Sequence, residues 1–376
     1  MAALLSPVQR WLAPLVVAAL LVPSLGMLAV KAQSRSAAEN RMLAAPPTWP
    51  RSLAEWRALP HRVDAYLGDH FAFRAFLTSA SNQLTWRLGS RLAGGAVLRG
   101  KDDRLFLRER LLDITGGVLN TKDAEDYGRF VCEVNTRLAA RAVPIPMVFA
   151  LAPSPAAIYP EALPDWVLRG RSSAYDLILA RTRACGVTTV DLRPPMLAAK
   201  ASGSIYYHHD SHWTPKGALI AYNQLADALK RPDWRISRDQ LAWRRAPEPD
   251  MDLARMSGAQ DLPAEMMDTP DLRSRAAMLT QTPIEGIDNQ GQAPGFIDAT
   301  GHPGPTVLTL GDSYAANFLP PDFAVAAGGF AWIHQDWCGF DWRVFDVVKP
   351  DYVIVMPVDR AATCKRGQRP HNLPPR

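Results

Sequence analysis

From residue 121 to residue 356, short apolar runs alternate with stretches of helical apolar spacing, and this alternation constrains the fold most. Residues 145–152 read as a buried strand, and 187–192, 306–310, 330–334 and 352–356 as further short apolar strands. Residues 123–142, 172–184 and 214–230 read as amphipathic helices. The third is the clearest. Thr214 and Pro215 form an N-cap and first turn, and Leu219, Tyr222, Leu225, Ala226 and Leu229 line one face. Thr121 or Asp123 is the candidate N-cap of the first. The pattern predicts an α/β fold with a mainly parallel sheet covered on both faces.

Composition narrows the class. Of the 376 residues, 48% are apolar and 21% charged, which excludes a disordered tail, a coiled coil and a polytopic membrane protein. The 32 prolines predict many loops. A net charge of +5, with its Lys and Arg scattered, lacks the basic stripe of a nucleic-acid binder, so no nucleic-acid partner is expected.

Residues 11–30 form an apolar run after Arg10, long enough at about 1.5 Å per residue to cross a hydrocarbon core of about 30 Å. It reads as a signal-anchor or a cleaved signal peptide, and either exports the rest. The organisation read from the sequence is a leader at 1–31, a polar and proline-rich linker at 32–60, and a main domain at 61–376. Residues 234–299, rich in Arg, Asp, Met, Pro and Gln and without strong periodicity, read as an insertion or cap. Residues 97–107 read as a hairpin, and 63–84 as helical.

The four cysteines suit an oxidising compartment, and none forms a C-x-x-C pair. Three connectivities exist. Pairing sequence neighbours gives Cys132–Cys185 and Cys338–Cys364, with buried free thiols as the alternative.

Two motifs carry chemistry. Asp210-Ser211-His212-Trp213 sets a carboxylate two residues before an imidazole, at the entry to a helix. Gly311-Asp312-Ser313-Tyr314 sets a serine just after a strand, where loops of a parallel sheet converge on one rim. A serine hydroxyl needs a base, and the base needs a partner that fixes its tautomer. His212 and Asp210 can fill those roles for Ser313. Each motif alone recurs by chance in turns and capping loops; their joint placement makes the case. Tyr314 and Asn317, beyond the serine, are candidate site-lining residues, as is Trp213, although Trp213 more simply packs beneath its loop. Asp312 reads as a brace for the turn. His208 and His209 point to different sides and have no helix-spaced partner, so no metal is expected. His70 reads as structural, bonding a nearby carbonyl.

These motifs resemble the SGNH-type hydrolases and acyltransferases. The order, Asp-x-His before Ser, is similar to the alginate O-acetyltransferase branch (AlgJ and AlgX). Supporting likenesses are Glu39-Asn40-Arg41, the segment Asp69-His70-Phe71-Ala72-Phe73-Arg74, the hairpin at 100–107, and Ile158-Tyr159-Pro160-Glu161 with Leu163-Pro164. The family often has a basic residue before Tyr159, where this chain has Ser154-Pro155-Ala156-Ala157. No carbohydrate-binding module is read after Arg360, so the chain looks more like the single-domain, anchored members. The resemblance implies a three-layer α/β/α sandwich and an O-acetyltransferase without cofactor that acts on an exported polysaccharide, with Ser313 acylated. It further implies a membrane-bound O-acyltransferase as acetyl supplier and a periplasmic site, anchored to the inner membrane. An acetylesterase with the same residues and a non-catalytic glycan-binding subunit are the rival readings.

Overall fold

The computed structural model describes residues 33–36, 41–87, 96–248, 251–259, 261–289, 294–335 and 337–364, together with Leu12, Pro14, Val16, Val17 and Gly26. Most of the apolar run 11–30 therefore lies outside the described residues. Among those described, no helix is long and apolar enough to cross a membrane.

The chain forms two compact units, residues 1–95 with 254–262, and residues 96–253 with 263–376. The main unit thus begins near residue 96, and the expected boundary at 61 falls inside the helix Leu53–His70. In the smaller unit this helix and Arg74–Arg87 replace the single helical stretch expected at 63–84. The break falls where Phe73 takes φ 68°, a conformation that a helix cannot continue through. Asp69 and His70 tie the first helix to Ala44: the carboxylate accepts from its N–H at 2.8 Å, and Nε2 donates to its carbonyl at 2.9 Å.

The main unit is built on a seven-stranded sheet. We number its strands β1 Met147–Leu151, β2 Thr188–Asp191, β3 Thr280–Pro283, β4 Phe296–Ala299, β5 Thr306–Gly311, β6 Gly329–His334 and β7 Tyr352–Met356. Their order is β2-β1-β7-β5-β6-β4-β3. The first five run parallel, and β4 and β3 complete one edge antiparallel. β3 and β4 correct the reading of 234–299 as an insertion throughout, because its last third belongs to the sheet. Thr280-Gln281-Thr282-Pro283 is exposed along its length, as an edge strand can be, and so carries no apolar run to announce it. Within the remainder, Trp243–Pro247 and Met266–Pro270 pair as a separate hairpin.

Four longer helices are α1 Thr121–Ala139, α2 Ala174–Ala184, α3 Arg193–Lys200 and α4 Pro215–Ala228. Alternate residues of β1 enter opposite layers. Val148 and Ala150 join Leu219, Tyr222 and Leu225 of α4 in one core cluster. Met147, Phe149 and Leu151 join Tyr127, Val131 and Val134 of α1 and Ile178 of α2 in the other. The result is the α/β/α sandwich that the alternation implied. Asn120, not Thr121 or Asp123, caps α1, its side chain accepting from the Asp123 N–H at 3.2 Å. Thr214 caps α4 by accepting from Gly217 at 3.2 Å.

Cys132 on α1 is bonded to Cys185 at the end of α2, and Cys338 to Cys364. The first bridge closes a loop of 53 residues. Replacing both of its cysteines by serine should lower stability by about 2–4 kcal/mol. Urea titration of the double variant checks this, and an unchanged midpoint refutes it.

Asp322 is fully buried, with neither carboxyl oxygen hydrogen-bonded. Burial pushes it up to about 8, against the pull of Arg275. The folded state therefore keeps a proton that the unfolded chain releases at an ordinary carboxylate pKa. Stability should fall as pH rises from about 4 to 8 and then level off. Asp322→Asn should flatten that decline in thermal melts taken across the range.

Candidate active site

β5 ends at Gly311, where a Cβ would lie 2.5 Å from the Met356 carbonyl of β7, so the close approach requires glycine. Asp312 then caps a short helix, Ser313–Ala316. Its Oδ1 accepts from the Tyr314 N–H at 2.9 Å, and its Oδ2 from the Val358 N–H at 2.7 Å. Asp312 is thus a brace between this turn and the chain leaving β7. Ser313 comes first on the helix, at the carboxyl rim of the sheet. β7 lies between β1 and β5, so the strand order reverses here, the place where open α/β sheets form their crevices.

The second motif enters from the loop before α4. A bridge between Tyr206 and Trp213 pinches that loop, and the Tyr207 N–H donates to the His212 carbonyl at 3.2 Å. Asp210 Oδ1 accepts from the His212 N–H at 3.0 Å and lies 2.7 Å from Nδ1. His212 Nε2 lies 2.8 Å from Ser313 Oγ. Burial opposes the charge of Asp210, but the hydrogen bond and charge of His212 outweigh it and hold the carboxyl below its ordinary value. An ionised carboxylate only accepts, so Nδ1 carries the proton and Nε2 presents a lone pair to the serine hydroxyl. Such an arrangement can draw the proton from Oγ as it attacks an electrophile.

The surroundings sort the other candidates. Trp213 and Tyr314 are both 0% exposed, which corrects their reading as substrate contacts. They pack edge to face, ring centroids 4.9 Å apart, beneath the motif loop. The Tyr314 hydroxyl donates to the Ser211 carbonyl, and Arg360 Nη1 donates to that hydroxyl at 3.4 Å. Asn317 is exposed just beyond the short helix and remains available to a ligand. Phe318 was not foreseen; its ring stands 5.7 Å from that of His212. Arg360 and Asp359 were missed as well, although both follow β7 on the carboxyl rim, which was a usable signal. Asp359 Oδ2 accepts from the Ser154 N–H at 2.9 Å and Oγ at 3.1 Å. Ser154 is thereby spent on tethering the loop after β1. Asp252 was missed too, in a segment without periodicity; it caps the far side of the motif loop.

His208 and His209 each face a glutamate, Glu265 at 3.2 Å and Glu248 at 3.4 Å. Among the described residues, Asp210, His212 and Asp252 bring ligand-type atoms within 4.8 Å of one another. Hydrogen bonds within the site already engage those atoms.

Residues 97–320, more than half of the chain, match the family model described as an SGNH hydrolase-like domain, acetyltransferase AlgX. The chain belongs to this family. The match spans both motifs, in the order Asp210, His212, Ser313. A protein of Pseudomonas aeruginosa named "Probable alginate O-acetylase AlgJ" is 30% identical over 173 residues, 46% of this chain and 42% of that protein. Its namesake in Pseudomonas syringae pv. tomato is 28% identical over 168 residues, 44% and 41% of the two chains. The alignments thus span less than half the length of these relatives. The structure of Bacillus cereus PatB1 with a sulfonyl adduct superposes with a TM-score of 0.52 at 14% identity, over 72% of this chain and 98% of that one, a likeness of fold.

Proposed function

We propose that this protein is a polysaccharide O-acetyltransferase in which Ser313 is the nucleophile, His212 the base and then the acid, and Asp210 the group that orients His212. The observation that carries this reading is the placement of the imidazole, 2.7 Å from the Asp210 carboxylate and 2.8 Å from the Ser313 hydroxyl. Ser313 Oγ attacks the acetyl carbonyl carbon of the donor while its proton passes to Nε2. The bond to the donor breaks, its leaving oxygen takes that proton, and an acetyl-serine ester remains. A sugar hydroxyl then gives its proton to Nε2 and attacks the ester. Acetylated sugar departs, and Oγ regains its proton. The Ser313 N–H, first on its helix, is one donor for the negative oxygen that forms in each half-reaction.

Family membership and the names of the matched relatives support acetyl transfer to an exported glycan, with alginate-like polymers the first class to try. A membrane-bound O-acyltransferase as acetyl supplier, and a periplasmic protein held at the inner membrane by residues 11–30, complete the proposal. Incubation with an activated acetyl ester, with and without oligosaccharide, tests it. Acetylated sugar is the expected product. Acetate release indifferent to sugar would instead assign an esterase, and no turnover at all would leave the glycan-binding reading.

A further inference from the structure

Asp252, contributed by a segment about forty residues beyond the motif loop, grips that loop at two successive residues. Its backbone N–H donates to Asp210 Oδ2 at 2.8 Å. Its carboxylate accepts from the Ser211 N–H and from Ser211 Oγ, both at 2.7 Å. Oδ2 of Asp252 also lies 3.9 Å from His212 Nδ1, with the side chain 6% exposed. The imidazole therefore has two acids at the same nitrogen, one bonded to it and one beside it. Asp210 Oδ1 is occupied by His212 and Oδ2 by Asp252, so the carboxyl group is held at both ends.

We propose that Asp252 is a positioning residue of the acid–base pair: it locks Asp210 and Ser211 in place and adds a second negative charge that raises the basicity of His212. This rests on the catalytic reading above. Neither motif names the residue, and its role comes from the contacts alone.

The charge felt by the imidazole is set by every group that faces it. From its own loop come Asp210 and the two histidines His208 and His209, which pair with Glu265 at 3.2 Å and Glu248 at 3.4 Å. From the nucleophile turn come Ser313 at 2.8 Å, Asp312, and Tyr314, whose ring centroid is 5.2 Å away and whose hydroxyl faces Arg360. The cation at this turn, among the described residues, is Arg360, which stands beyond the Tyr314 hydroxyl with Asp359 next to it. The carboxyl of Asp252 itself sits above its ordinary value, because burial and the charge of Asp210 disfavour ionisation while His212 and Ser211 favour it. That is the reciprocal of two acids sharing one imidazole: each proton gained by His212 makes the second carboxylate easier to keep ionised.

The test reads His212 directly. Its imidazole is titrated by NMR in the full chain carrying Ser313→Ala, which needs no turnover, and again with Asp252→Asn added. Loss of an opposite charge about 4 Å away should lower the midpoint by about one pH unit or more. Asp252→Glu, which restores the charge, should bring it back towards the parent value. Asp252→Ser keeps a side chain able to cap the helix that Asp252 begins, and should show the same downward shift if the asparagine variant does not fold. In the otherwise native chain, the acid limb of acetyl-ester turnover should move down with the midpoint. Superimposable titrations of parent and Asp252→Asn or Asp252→Ser would overturn the proposal. Because the titration is independent of catalysis, it separates this failure from that of the catalytic reading, which would appear as full activity in Ser313→Ala.

Discussion

Ser313→Ala should reduce acetyl transfer by roughly a thousandfold or more while leaving the fold intact. The hydroxyl is half-buried at the start of a short helix and is hydrogen-bonded to His212. Removing it costs one hydrogen bond in a site that alanine can occupy without strain, since Asp312 still caps the helix through the Tyr314 N–H. Thermal melting should move little. Chemistry should nearly stop, because the sugar hydroxyl must then attack the donor directly, without a covalent intermediate and without the serine that His212 activates. The measurement is acetylated oligosaccharide formed per enzyme, alongside mass detection of a 42-Da-class acetyl adduct, expected on the parent protein and absent from the variant; the mass is roughly that of one acetyl group replacing a hydrogen. Persistent transfer with unchanged rate would remove Ser313 from the reaction.

Asp210→Asn should cost about a thousandfold to ten-thousandfold, although the side chain keeps its shape. Asp210 accepts three N–H groups: the backbone and Nδ1 of His212 on Oδ1, and the Asp252 N–H on Oδ2. An amide has only one acceptor oxygen. Turned towards Asp252, it directs its NH2 at Nδ1 and drives the imidazole proton to Nε2, where it opposes the serine hydroxyl. Turned towards His212, it sets NH2 against the Asp252 N–H and leaves a buried donor unpaired, at a cost of about 1–3 kcal/mol. Either way the pair is damaged. The rate should fall far more than KM rises, since the charge matters most when His212 is protonated. A variant with a near-native rate would show that the carboxylate only shapes the loop.

Several features were legible because they depend on neighbours in sequence. Thr214 and Pro215 mark the start of α4 by local capping chemistry, and the cap forms. Short apolar runs marked β1, β5, β6 and β7 because burial on both faces demands continuous apolar residues, whereas β2, at an edge and partly exposed, was recognised only from the apolar residues around it. β3 escaped notice for the converse reason: at an exposed edge no such demand applies, and Thr280-Gln281-Thr282-Pro283 has the composition of a loop. The break at Phe73 escaped notice too, since a non-glycine residue at positive φ leaves no compositional trace. Tyr314 and Trp213 were candidates for ligand contact because aromatic residues beside a motif suit that role, yet burial beneath the loop gives them a supporting one.

The amino-acid order alone pointed to the layer arrangement and singled out Ser313, His212 and Asp210 as candidates, because strand burial, helix capping and the demands of an activated hydroxyl are written in local residue patterns. Tertiary structure alone decided that Ser313 lies 2.8 Å from His212 and that Asp252 joins them. Distances between residues far apart along the chain depend on strand order and loop closure, which no local pattern encodes.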